Sequence, residues 1–85
     1  MRILYSSRFA REYEKLPNRI KNVSQVRESM FRKNPFDRIL ATHKLHGRLS
    51  DFWSFSIGFR YRIIFEFAAD DEVHFHSVGN HDVYQ

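Results

Sequence analysis

An alternation of apolar and polar residues through the second half of the chain constrains the fold more than any other feature of the sequence. It runs through the segments FWSFSIGF and RYRIIFEF, and it resumes in EVHFHSVG after the acidic turn Asp70-Asp71. A period of two is typical of strands that bury one face. The shorter segment HKLHGRL, at residues 43–49, follows the same pattern. We therefore predict consecutive antiparallel strands joined by short turns.

The same alternation predicts which side chains face the core. This set comprises Trp53, Phe55, Ile57, Phe59, Ile63, Phe65, Phe67, Val73 and Phe75. A hairpin that turns about Asp70 would pair Glu66 with His74 across the two strands. The same register pairs Ile64 with His76, Arg62 with Val78, and Arg60 with Asn80.

The opposite face of the sheet is then predicted to be polar. It carries Arg60, Arg62, Glu66, His74 and His76, with His81 just beyond its end. A cationic face beside histidines is suited to a phosphodiester backbone. A one-sided sheet also shows polar residues to water without any function, and Glu66 facing His74 is equally compatible with a surface pair worth less than about 1 kcal/mol.

The first half of the chain indicates a strand followed by two helices. Residues 2–6 are strand-like, Ser6 or Ser7 can cap a first helix, and Pro17-Asn18 separates it from a second that Asn34-Pro35 ends. Their apolar positions recur at helical spacing: Phe9, Tyr13 and Leu16, then Ile20, Val23, Met30 and Phe31. With a loop at 36–42, the order βααβββ(β) predicts an α+β fold, a twisted antiparallel sheet covered on one face by an α-helical hairpin.

Composition restricts the class of protein. Eighty-five residues are too few for two cores, so residues 1–85 are predicted to form a single domain. The absence of cysteine fits a reducing compartment, no apolar run approaches the ~20 residues that span a bilayer, and the charged N-terminal segment does not resemble a signal peptide. A cytoplasmic protein that makes no membrane contact is the simplest prediction. The formal charge of +4 favours a polyanion or an acidic protein as partner.

The order of motifs resembles the RelE/ParE superfamily of small bacterial toxins. The similar stretch is HKLHGRLSDFWSFSIGFRYRIIFEF followed by VHFHSVGNHDVY, and the resemblance extends over essentially the whole chain. It implies the toxin of a type II toxin–antitoxin system, in most branches an endoribonuclease that cuts mRNA in the A site of the 70S ribosome. It also implies that a cognate antitoxin keeps the toxin silent and that no cofactor is needed.

The resemblance also suggests roles for individual residues. Arg62 matches the arginine that opens the central strand, and it would stabilise charge on the phosphate. His81 falls where the family has His or Arg after V-G-x, and Lys44 and His43 match basic positions before Leu45; these are the predicted proton-transfer or neutralising groups. The predicted substrate-binding residues are Tyr84, which would stack on a base, together with Arg60, His46 and Arg48.

Departures from the family pattern leave the proton-transfer assignment open. Ser56 and Arg60 stand where one histidine-rich branch has His and Asp, and Tyr84 lies closer to His81 than in several relatives. The sequence therefore favours the reaction class over any choice of general acid and base.

Other readings of the sequence also remain. His74, His76 and His81 could bind zinc, because residues two apart on a strand share a face. The chain could instead be a gyrase-poisoning relative similar to ParE, or a non-catalytic module that only binds an antitoxin. In each case we expect an amphipathic antitoxin helix in the groove between the helical hairpin and the sheet edge.

Overall fold

The computed structural model describes residues 1–80 and confirms the α+β class. Two helices pack on one face of a five-stranded sheet. In chain order the elements are β1 Arg2–Tyr5, α1 Ser7–Glu14, α2 Asn18–Lys33, β2 His43–Lys44, β3 Trp53–Ser56, β4 Tyr61–Phe67 and β5 Glu72–Asn80. Short 3-10 turns at Arg38–Leu40 and Gly47–Leu49 flank β2.

Local sequence signals set the helix boundaries as predicted. The Ser6 side chain caps α1 by accepting a hydrogen bond from the backbone N–H of Phe9 at 2.9 Å. Pro17 precedes α2 with a φ of −56°, and α2 ends at Asn34, because the residue before Pro35 is driven away from helical geometry. The hairpin therefore packs a continuous apolar face, including Phe9, Ile20 and Phe31, against the sheet.

The strand order is β1-β5-β4-β3-β2. β2 to β5 pair antiparallel, as predicted, but β1 pairs parallel to β5, so the sheet is mixed rather than wholly antiparallel. The helical hairpin carries the chain from β1 at one edge of the sheet to β2 at the other, and the three antiparallel steps from β2 to β5 then bring β5 beside β1 in the same direction. None of the helices in residues 1–80 is long and apolar enough to cross a membrane.

The predicted register of the β4–β5 hairpin holds only near its turn. Glu66 pairs with His74 as expected, and a β-bulge beyond Phe65 then shifts the pairing by one residue. Ile64 faces Ser77 instead of His76, and the next pairs, Arg62–Gly79 and Tyr61–Asn80, replace the predicted Arg62–Val78 and Arg60–Asn80. The bulge leaves His76 as the extra residue of β5.

The core lies between the helices and the predicted apolar face of the sheet. Phe31 from α2 stacks on Phe55 at 4.6 Å between ring centroids and meets Phe65 edge-on at 4.9 Å. Phe59 was assigned to this face wrongly, because β3 ends at Ser56 and Phe59 lies in the following turn, 88% exposed.

Residues 43–49 were predicted to form one strand, but the strand in the structure is shorter. Only His43 and Lys44 pair with β3, and a 3-10 turn begins at Gly47, whose φ of +67° is left-handed.

Candidate active site

The face of the sheet turned away from the helices, called here the open face, contains two of the predicted site residues, His43 and Arg62. Side chains that pair directly across strands share a face. One row contains Arg62 with Ser56 and Gly79, and the next contains His43, Ser54, Ile64 and Ser77. Farther along, Glu66, His74 and His76 form a third group.

The guanidinium of Arg62 on this face has no acidic partner within the described part of the chain. Within residues 1–80 it makes no ion pair, and its one hydrogen bond is from Nη1 to the carbonyl oxygen of Tyr61 at 3.4 Å. Glu66 and Asp82 are the two acidic residues that could pair with Arg62 as a purely structural contact. Asp82 lies outside the described residues, and Glu66 is four positions from Arg62 on β4, roughly 13 Å along the strand. Instead, Glu66 contacts the histidines of β5. The arginine fork is therefore available for an anionic oxygen.

His43 lies on the open face with a defined tautomer. Its Nδ1 is 3.0 Å from the carbonyl oxygen of Ala41, which can only accept, so Nδ1 carries the proton and donates it. In the neutral ring Nε2 is then free to accept a proton. Ala41 offers its carbonyl in this direction because its backbone is left-handed, with a φ of 51°.

Lys44, the next residue, points to the opposite face. It pairs with Trp53, which packs against the core on the helix side, whereas His43 pairs with Ser54. Successive strand residues alternate between faces. Of these two basic residues, the geometry thus favours His43 as the partner of Arg62.

His43 and Arg62 are close enough to engage one substrate segment. His43 on β2 is two strands away from β4, and Arg62 lies two residues along β4 from Ile64, the residue level with His43. The distance between the two Cα atoms is therefore roughly 12 Å. Ser54 and Ile64, which lie between them on this face, are buried, whereas His43 is exposed and Arg62 is partly exposed.

The predicted substrate-binding residues that the structure describes lie in turns beside the strands. Arg60 belongs to the turn before β4 and not to the face itself; its guanidinium lies 5.5 Å from the centroid of the Phe59 ring. His46 and Arg48 are exposed at the 3-10 turn that follows β2. His81 and Tyr84 lie outside the described residues, so their predicted roles stay predictions.

The third group on the open face is a hydrogen-bonded cluster. Glu66 Oε1 lies 2.9 Å from His76 Nε2 and 3.7 Å from His74 Nδ1, and His74 Nε2 lies 3.0 Å from Glu72 Oε1. All of these side chains are about one-quarter to one-third exposed. A groove of about 280 Å³ runs beside His76, lined also by Leu49, Phe52 and Ile64.

Helix α1 fixes the position of β5 beneath this cluster. Ser6 Oγ donates to the carbonyl oxygen of His76 at 2.8 Å, and Glu12 Oε1 accepts from Ser77 Oγ at 2.6 Å and from the Val78 backbone N–H at 3.0 Å. Burial alone would raise the pKa of Glu12, but these two hydrogen bonds and Arg8 outweigh it and lower the pKa. The bulged part of β5 is therefore held from the side by a carboxylate.

A separate surface on the helix side of the sheet is apolar. Phe36 contacts Trp53 at 5.7 Å and Phe67 at 5.9 Å between ring centroids, and these three residues are called the aromatic surface below. Phe36 is 55% exposed and Phe67 39%. Lys44 shares this side of β2, next to Trp53.

The fold matches those of several solved bacterial proteins over nearly their whole length. YafQ from E. coli strain BL21(DE3) superposes with a TM-score of 0.80 at 18% identity, covering 99% of this chain and 98% of that one. A YoeB/ParE toxin from Agrobacterium tumefaciens gives 0.79 at 15% identity, over 95% and 99%. The toxin–antitoxin complex RelBE2 from Mycobacterium tuberculosis gives 0.75 at 20% identity, over 93% and 95%.

The chain therefore shares the fold of these solved proteins, which is the fold that its sequence motifs indicated. The sequence matches no protein-family model and no curated protein.

Sequence reasoning missed three features of the site. The predicted register paired β4 with β5 without interruption from the turn at Asp70, so it did not include the bulge at His76. The tautomer of His43 depends on the left-handed Ala41, which no local residue preference indicates. Glu66 contacts both His74 and His76. The sequence predicted its pairing with His74 but did not suggest it as a metal ligand.

Proposed function

We propose that this protein is the toxin of a type II toxin–antitoxin system and that it inhibits translation by cleaving mRNA in the ribosomal A site. The observation that carries the proposal is the presence on one face of Arg62, which makes no ion pair with any residue of 1–80, and His43, whose Nδ1 donates to Ala41 so that Nε2 can accept a proton. The fold similarity to solved toxins supports the assignment of this protein as a toxin.

The reaction needs no redox step and no cofactor. The 2′-hydroxyl oxygen attacks the adjacent phosphorus, the O2′–P bond forms and the P–O5′ bond breaks, which yields a 2′,3′-cyclic phosphate and a 5′-hydroxyl. A base takes the proton from O2′ and an acid gives one to O5′. DNA is not a substrate because it lacks the 2′-hydroxyl.

The residue types of the predicted site fit these tasks. Arg62 binds two phosphate oxygens and becomes more effective as charge develops on the phosphorane. His43 and His81 are the proposed proton-transfer pair, since imidazole can take either role near neutral pH. Lys44, which lies on the other side of β2, is better placed to neutralise a more distant phosphate than to transfer the proton. Tyr84 is the proposed stacking partner for a base.

The proposed partners are the 70S ribosome with its mRNA and a cognate antitoxin. The RelBE2 structure is that of a toxin–antitoxin complex. In this chain the aromatic surface, flanked by Lys44, is suited to an amphipathic segment that carries acidic residues.

Mapping of mRNA 5′ ends in growing bacteria tests the nuclease. Wild type, Arg62→Ala and His81→Ala would be induced with and without an inhibitor of translation initiation. Arg19→Ala, which removes an exposed arginine of α2 on the helix side of the sheet, is the matched control. We expect translation-dependent cuts in wild type and the control, and their loss in the Arg62 and His81 variants.

Other results would point elsewhere. Cuts that persist in Arg62→Ala would remove the arginine from the mechanism. Growth arrest without cuts in wild type would overturn the RNA assignment in favour of gyrase as the target. Harmless expression of the folded wild type would leave only antitoxin binding.

A further inference from the structure

The cluster of Glu66, His74 and His76 is not used by the nuclease chemistry proposed above. Each of the three residues offers one ligand atom, and these atoms all lie within 4.8 Å of one another. Two imidazoles and one carboxylate are a common ligand set for zinc, with a fourth position left for water.

We propose that Glu66, His74 and His76 form a binding site for a divalent transition-metal ion, and that Zn²⁺ is the ion this ligand set fits best. Imidazole nitrogen selects for zinc and its neighbours over magnesium and calcium, which prefer oxygen. The site differs from the His74, His76 and His81 set that the sequence suggested, because a carboxylate from β4 replaces the third histidine.

The spacing of the donor atoms is close to that of a tetrahedral site. Ligand bonds of about 2.0 to 2.2 Å place donor atoms roughly 3.4 Å apart around zinc. Here Glu66 Oε1 is 2.9 Å from His76 Nε2, which is shorter than about 3.4 Å, and 3.7 Å from His74 Nδ1, which is longer. Small side-chain rotations suffice to admit the ion.

The orientation of His74 also favours a cation. Its Nε2 lies 3.0 Å from the Glu72 carboxylate, so Nε2 carries a proton and donates it. In the neutral ring Nδ1 then directs a lone pair towards the Glu66 oxygen, which is unfavourable unless a positive charge lies between them. A carboxylate on the non-ligating nitrogen is also the arrangement that orients metal-binding histidines.

The backbone and ring of His76 are held in place independently. The carbonyl oxygen accepts from Ser6 Oγ, and Phe52 packs edge-on against the imidazole at 4.8 Å between ring centroids. The bulge that makes His76 an extra residue leaves it on the same face as His74. Both histidines therefore meet Glu66 without rearrangement of the strand.

A second explanation requires no metal. A doubly protonated His74 would bridge Glu66 and Glu72 as a surface ion-pair network, worth little at this exposure. The test must separate this network from a metal site.

Calorimetric titration of the purified, untagged protein with ZnCl₂ at neutral pH separates them. We expect one equivalent to bind, with affinity reduced at least about tenfold in Glu66→Gln, His74→Gln and His76→Gln. Glu72→Gln should weaken binding by about 10- to 100-fold, because it removes the group that orients His74. His43→Gln removes an exposed histidine outside the cluster and serves as the control, with unchanged affinity.

Nitrogen-15 spectra of the histidine rings provide the second readout. One equivalent of Zn²⁺ should shift the ring signals of His74 and His76 and leave that of His43 in place. The proposal is overturned if wild type binds no stoichiometric zinc, or if Glu66→Gln binds as wild type does while His81→Gln loses binding. None of these measurements depends on RNA cleavage, so their failure would not affect the proposed nuclease.

Discussion

At the scale of single residues, Ser6 links the start of α1 to the bulge of β5. Its hydroxyl oxygen accepts from the Phe9 N–H and its proton is donated to the His76 carbonyl oxygen. Loss of an N-cap costs about 0.5 to 2 kcal/mol, and loss of a partner for a half-buried carbonyl adds to this. We expect Ser6→Ala to lower the free energy of unfolding by about 1 to 3 kcal/mol, measured by chemical denaturation.

Ser7 supplies the control for this substitution. It is the adjacent serine, it is exposed, and its side chain makes no hydrogen bond to any residue in 1–80. Ser7→Ala should therefore change the unfolding free energy by no more than about 0.5 kcal/mol. Equal effects of the two substitutions would contradict the assigned role of Ser6.

His43 and Lys44 differ in the face they occupy, and this predicts different effects on cleavage. If the proposed nuclease chemistry holds, His43→Ala should slow mRNA cleavage by about 10²- to 10⁴-fold, because a positioned proton-transfer group is lost. Lys44→Ala should have the smaller effect, since its charge acts from the other side of β2. Primer extension on a ribosome-bound message measures both rates, and the reverse ranking would return the proton-transfer role to Lys44.

At the scale of elements, Glu12 joins α1 to β5. Its carboxylate accepts from Ser77 and Val78, and the pKa is lowered in the folded state. We expect Glu12→Gln to destabilise the protein by about 1 to 2 kcal/mol at neutral pH, because charge-assisted hydrogen bonds become neutral ones. Glu14→Gln, at a carboxylate that is 81% exposed, is the control and should have little effect.

The pH dependence of stability gives an independent check on Glu12. A lowered folded pKa means that the unfolded carboxyl binds a proton more readily, so the stabilisation is complete above the unfolded pKa of about 4.3. It is lost as pH falls through the folded value. The difference in unfolding free energy between wild type and Glu12→Gln should therefore shrink below about pH 4. A difference that stays constant with pH would show that the carboxylate charge is not responsible.

The elements themselves could largely be predicted from the sequence, whereas their register could not. The periodicity of apolar residues located both helices and four of the five strands, because an element that buries one face repeats apolar residues at its own period. The parallel pairing of β1 depends on the path of the hairpin, and the bulge at His76 depends on the contacts with Ser6 and Glu12. These are tertiary contacts without a local signature, so the arrangement of the candidate site followed only from the structure.

At the scale of the whole molecule, the sheet separates two surfaces with different chemistry. The open face carries Arg62, His43 and the Glu66 cluster, whereas the aromatic surface lies on the helix side. A peptide on the aromatic surface leaves the side chains of Arg62 and His43 uncovered. If this surface binds the antitoxin, silencing requires that the antitoxin either extends around the edge at β2 or blocks entry to the ribosome sterically.

This arrangement predicts that antitoxin binding and RNA cleavage can be separated by mutation. Phe36→Ser removes the most exposed ring of the aromatic surface, so affinity for the cognate antitoxin, measured by calorimetry, should fall by about 10- to 100-fold while cleavage persists. Val26→Ser, at another exposed apolar residue, on α2, is the matched control and should bind normally. Arg62→Ala should show the reverse pattern, with full binding and no cleavage. If Arg62→Ala instead weakened antitoxin binding as much as Phe36→Ser did, the antitoxin would have to cover the open face directly, and silencing would be occlusion of the arginine itself.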